Sequence, residues 1–111
     1  MAFTNEQLTE VVQVTSGSSN DLVTVAGSKK VFIRSIMCFD LGSAATAKIY
    51  VVPNGGSAGA TNQLFQVQLN STETALIEPI YPIVLDTTGD KLVVEAASGN
   101  INFFATGDRE A

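Results

Sequence analysis

The stretch Lys30 to Pro53 constrains the fold more than any other part of the chain. It reads as two long strands, Val31 to Asp40 and Ala45 to Val52, joined as a hairpin by the small-residue turn Leu41-Gly42-Ser43-Ala44. Side chains alternate between the faces of a strand, so Phe32, Arg34, Ile36 and Cys38 should oppose Val31, Ile33, Ser35, Met37 and Phe39. Both sets are mostly apolar. A strand with one solvated face is polar at every second position, so this one is either covered on both sides within the fold or lends its second face to another subunit.

Shorter strands surround it. Glu10 to Thr15 alternates and ends in Ser16-Gly17-Ser18-Ser19-Asn20, and Leu22 to Ala26 turns through Gly27-Ser28-Lys29. Leu64 to Leu69, Thr74 to Glu78, Ile80 to Leu85, Asp90 to Ala96 and Ile101 to Ala105 follow, each bounded by turn residues. Pro79 and Pro82 lack amide donors and keep Ile80 to Leu85 out of the middle of a ladder, marking an edge or a crossing between sheets. Pro53 to Asn62, rich in glycine and poor in large apolar groups, is expected to be an exposed loop. Eight or nine short strands without helical periodicity specify an all-β chain: an antiparallel β-sandwich or jelly-roll-like single domain. The 111 residues leave no room for a second domain. Residues 1–9 are read as an N-terminal arm or one short helical turn, and residues 10–111 as the sandwich.

Charge and residue inventory narrow the function. A net charge of −5 with only six Lys and Arg, and no basic run beyond Lys29-Lys30, argues against nucleic acid and anionic membranes as partners. No stretch approaches the roughly 20 apolar residues of a membrane span, and Met1 to Glu6 carries no secretory signal, so synthesis and folding in a cytoplasm are expected. The sequence has no His, which removes the usual proton acceptor of Ser and Cys nucleophiles. Cys38, inside an apolar strand, reads as a buried structural thiol. Glu73, Glu78, Asp86, Asp90 and Glu95 are the carboxylates that a glycoside hydrolase would need, but with no Trp and only Tyr50 and Tyr81 a sugar-stacking cleft is poorly provided. Asp86-Thr87-Thr88-Gly89-Asp90 lacks the alternating oxygen ligands of a calcium loop and reads as a turn using Asp as a local acceptor. No catalytic residue, metal ligand or cofactor site is assigned.

The segments Val31 to Ile36, Gly42 to Pro53, Pro82 to Leu85 and Gly89 to Leu92 resemble small virion structural proteins of tailed bacteriophages. That resemblance, over roughly Val23 to Gly107, implies a non-enzymatic virion component made in the host cytoplasm. Such proteins occur as capsid decoration or cement proteins bound to the major capsid protein, and related domains occur in tails and fibres. On analogy a homo-oligomer, preferably a trimer, is expected. A free carbohydrate-binding module is the remaining alternative.

Candidate contact residues follow from the patterning: Val31, Ile33, Met37 and Phe39 on one set of the long strand, with Phe3 and Leu8 as anchors in the arm. Each large apolar side chain buried contributes roughly 1.5 to 3 kcal/mol, so three or four of them offset much of an association cost of about 4 to 15 kcal/mol, with polar rims to supply the remainder.

Overall fold

The computed structural model describes the backbone of residues 3–110 and the side chains of residues 8–110. Among the described residues ten strands form: β1 (Phe3–Gln7), β2 (Val12–Val14), β3 (Ser18–Thr24), β4 (Val31–Asp40), β5 (Ala45–Val52), β6 (Gln63–Leu69), β7 (Thr74–Ile77), β8 (Ile83–Leu85), β9 (Lys91–Ser98) and β10 (Ile101–Glu110). Their pairings are all antiparallel. The front sheet is centred on the two longest strands, β10 and β4. β1 and β2 lie end to end along the free side of β10, and β7 and β8 lie end to end along the free side of β4. The back sheet runs β3-β9-β5-β6.

Counted with each broken edge as one position, the chain fills eight positions and crosses between the sheets in the order of a jelly roll, two interlocked Greek keys. The expected antiparallel sandwich is what forms. Both front-sheet edges are short, interrupted strands, a form that leaves little flat edge for another chain to extend. The prolines mark an edge as expected, since β8 pairs with β4 alone, but the strand is shorter than expected and begins only after Pro82.

Two expectations are corrected. The long strands β4 and β5 are not a hairpin: β4 pairs with β10, β7 and β8, whereas β5 pairs with β6 and β9 in the other sheet. Residues 41–44 therefore make a corner across the sandwich. Asp40, fully buried, starts that corner by accepting the Gly42 amide on Oδ1 at 3.0 Å. Phe3–Gln7, expected as an arm or helical turn, is a strand whose residues pair in register with Thr106 to Glu110 of β10.

The core lies between the sheets and is filled by Phe103, Ile33, Ile36, Ile49, Leu69, Leu85, Leu92 and Ile101, all essentially without exposure. A β-bulge in β4 decides which residues reach it. Ser35 faces Thr106, but the next residue of β10, Gly107, faces Ile33, so Arg34 is the extra residue of β4. Val31 and Ile33 point inward before the bulge, and Ile36, Cys38 and Asp40 point inward after it. The strand with two apolar faces is thus one core face that switches parity midway.

Candidate interaction surface

The parity switch leaves Met37 (40% exposed) and Phe39 (36%) on the outer side of the front sheet. Register then places apolar neighbours beside them. Met37 stands between Phe104 of β10 and Leu76 of β7, and Phe39 stands between Asn102 and Thr74. On the far side of β10, Val12 pairs with Phe103, so the preceding Val11 reaches the row of Phe104. Val11 is 61% exposed and Leu76 53%. Val11, Met37, Phe39, Thr74, Asn102 and Phe104 line an apolar depression of about 400 Å³, with the chain at Cys38 as part of its wall. None of these residues is charged.

At the opposite end of the same face, beyond the bulge, Arg34 closes the surface electrostatically. Its Nε donates to Asp108 Oδ2 at 2.6 Å and its Nη2 lies 2.5 Å from the same oxygen. The extra residue of the bulge is the one that carries this cation, because insertion at position 34 turns its side chain outward beside β10.

A second exposed apolar feature interrupts the edge between β7 and β8. Ile80 and Tyr81, bracketed by Pro79 and Pro82, are 94% and 83% exposed. This pair was expected inside a strand from Ile80 to Leu85; the strand starts at Ile83 because neither proline donates to the ladder. Two large apolar residues between prolines were the signal in the sequence that such a projection exists.

The six residues singled out in the sequence as contacts divide accordingly. Met37 and Phe39 are on the surface. Val31, Ile33 and Leu8 are corrected to core residues, at 1%, 0% and 7% exposure, and have no free side chain for a partner. The side chain of Phe3 lies outside the described residues. Leu76, Phe104 and Val11 complete the front-sheet surface, Ile80 and Tyr81 form the separate projection at its edge, and none of the five was among the expected contacts.

The groups that chemistry would use hold structural places. Cys38 is fully buried, and burial pushes its thiol up from 9.0 to about 12. Glu73 Oε1 accepts the Asn70 amide at 2.8 Å, closing the β6–β7 turn. Asp90 accepts from the amides of Asn54 on Oδ1 at 3.0 Å and Thr87 on Oδ2 at 3.2 Å, the turn role expected of it. The first of these bonds ties the Pro53 to Asn62 loop to the β8–β9 corner, and that loop is also folded on itself through Asn62, which donates to Ser57 O and accepts from the Gly59 amide. On the outer side of the back sheet, the Tyr50 hydroxyl donates to Glu95 Oε1 at 2.5 Å; burial first, then the bond to Glu95 and its charge, push the phenol up from 10.0 to about 12. Among the described residues no group of three His, Cys, Asp or Glu could hold a metal ion. No helix among them is long and apolar enough to cross a membrane.

No protein-family model matches the sequence, and no curated protein matches it. Among solved structures the chain is similar to one chain in the structure of infectious bursal disease virus, Gt strain, with 11% sequence identity and a TM-score of 0.36. That likeness covers 97% of this chain and 32% of the viral one, so the protein spans about a third of the length of this structural neighbour.

Proposed function

We propose that the protein is a structural component of a virion that acts through protein–protein contacts, in its most specific form as a decoration or cement protein on the outer capsid of a tailed phage. The observation that carries this reading is the uncharged apolar surface formed by Val11, Met37, Phe39, Leu76 and Phe104 on the front sheet. Contiguous apolar surface on the outside of a domain marks a contact site. The sequence resemblance to phage virion proteins, and a jelly-roll topology that capsid proteins share, supply the setting. A fold by itself does not assign a role, so the weight rests on the surface. A partner on the major capsid protein, self-association, and the absence of catalytic work belong to the same reading; a thiol held at about 12 is protonated at neutral pH and is no nucleophile.

A second reading places the domain in a tail or fibre, and the exposed, internally bonded loop from Pro53 to Asn62 favours it as a receptor-contacting element. Cosedimentation with empty capsids of the encoding virus tests the first reading. Saturable occupancy that is lost in Met37→Glu and kept in a loop variant supports capsid attachment through the front sheet. Recovery with tails only supports the second reading, and recovery with neither particle rejects both.

A further inference from the structure

We infer that the projecting pair Ile80-Tyr81 of one copy seats in the front-sheet depression of the next, so that the protein assembles with itself head to tail. The inference deepens the contact reading above, on which it rests, by naming one partner of that surface as a second copy.

Knob and depression are both unsatisfied on a single chain. Ile80 and Tyr81 are the two most exposed large apolar residues among those described, at 94% and 83%. Their flanking prolines, Pro79 and Pro82, restrict the backbone in advance, which lowers the ordering cost that a flexible loop would incur on binding. The depression, about 400 Å³ in volume and lined by Val11, Met37, Phe39 and Phe104, offers an apolar floor for two side chains of this size. Asn102 and Thr74 at its border carry the groups that a tyrosine hydroxyl requires when its ring is buried.

Charge does not oppose this occupant at the centre of the contact. The protein carries −5 overall, so most of its surface repels a second copy. Neither the knob nor the lining of the depression contains an ionisable side chain apart from the buried Cys38 and the Tyr81 phenol itself. Apposing them brings no like charges together at the centre of the contact, and the exposed acids next to them, Glu78 beside the knob and Glu10 and Glu73 beside the depression, are left to its solvated rim.

Area decides the kind of assembly. Two large side chains bury roughly 300 to 400 Å², well short of the roughly 800 Å² per partner of a standard interface. One such contact is weak. The knob is on an edge and the depression on a face, so the contact is heterologous and each chain has both halves free for two neighbours. A ring doubles the area buried per chain, and closure makes the last contact intramolecular.

Disulfide trapping tests the pairing directly. Two single variants, Tyr81→Cys and Phe39→Cys, are checked for wild-type thermal unfolding, then oxidised separately and as a mixture; the native Cys38 is buried and does not compete. The inference predicts a mixed disulfide between the two variants at least tenfold faster than either homodimer, and wild-type sedimentation that shifts to higher mass with concentration. The double variant Ile80→Ser/Tyr81→Ser should remain monomeric with an unchanged melting curve. Cross-linking of Phe39→Cys to itself as fast as to Tyr81→Cys would establish a two-fold face contact and overturn the inference. So would a wild-type chain that stays monomeric at every concentration, or a double variant that assembles like the wild type. Capsid occupancy is scored independently, so a monomer that still binds capsids refutes the ring and leaves the virion reading standing.

Discussion

Gly107 approaches the main chain of Phe32 across the β4 bulge so closely that a Cβ on Gly107 would lie 2.0 Å from the Phe32 carbonyl oxygen. The obstacle is main chain on both sides, since the Arg34 amide nitrogen is also only 3.1 Å away. Glycine is required there by approach, not by a left-handed backbone. The glycine admits the bulge, and the bulge sets which half of each side-chain set on β4 reaches the core.

Gly107→Ala should therefore destabilise by about 3 kcal/mol, because the strands must separate or the bulge must move. Gly42→Ala is the control: its Cβ would meet nothing within 4 Å. Thermal unfolding of both variants measures the difference, and equal melting temperatures would show that the strands spread at no cost.

The parity switch makes opposite predictions for residues of one sequence set. Ile33→Ala should cost about 2 to 5 kcal/mol, the range for truncating a buried large aliphatic residue. Met37→Ala, at a position already 40% exposed, should cost less than about 1 kcal/mol. Chemical denaturation with unchanged m-values would verify both. Similar costs for the two would mean that β4 has no bulge.

Cys38 and Tyr50 give the pH dependence. Both are acids whose folded pKa is raised, from 9.0 and 10.0 respectively to about 12. Between these limits the unfolded chain releases protons that the folded chain keeps, so the stabilisation present below pH 9 is lost as pH rises towards 12. The melting temperature should fall over that window, and less steeply in Tyr50→Phe. At pH 8 the Cys38 thiol should react with a thiol reagent only as fast as the chain unfolds.

Asp90 joins the long loop to the sandwich. In Asp90→Ala the amides of Asn54 and Thr87 lose their acceptor, and a loss of about 1 to 3 kcal/mol is expected for hydrogen bonds to a charged group. Hydrogen exchange should quicken at Asn54. Asp86→Ala removes only a 3.3 Å contact with the Thr87 hydroxyl and should leave both measurements nearly unchanged.

The sequence alone determined the central elements, though not β1, the start of β3 or the end of β10. Val31 to Asp40 and Ala45 to Val52 are legible to the residue, because period-two apolar runs between small and polar turn residues are a local property of the chain. The same locality identified Pro79 and Pro82 as edge markers and an antiparallel sandwich as the class. The tertiary structure alone decided pairing and parity. No local pattern distinguishes a hairpin from a corner, and β4 and β5 take the corner because their partners lie elsewhere in the chain. The bulge depends on Gly107, and the outward Arg34 on Asp108, 74 residues away. One inserted residue reverses every subsequent side chain of a strand, which is why Met37 and Phe39 face outward while Val31 and Ile33, of the same alternating set, fill the core.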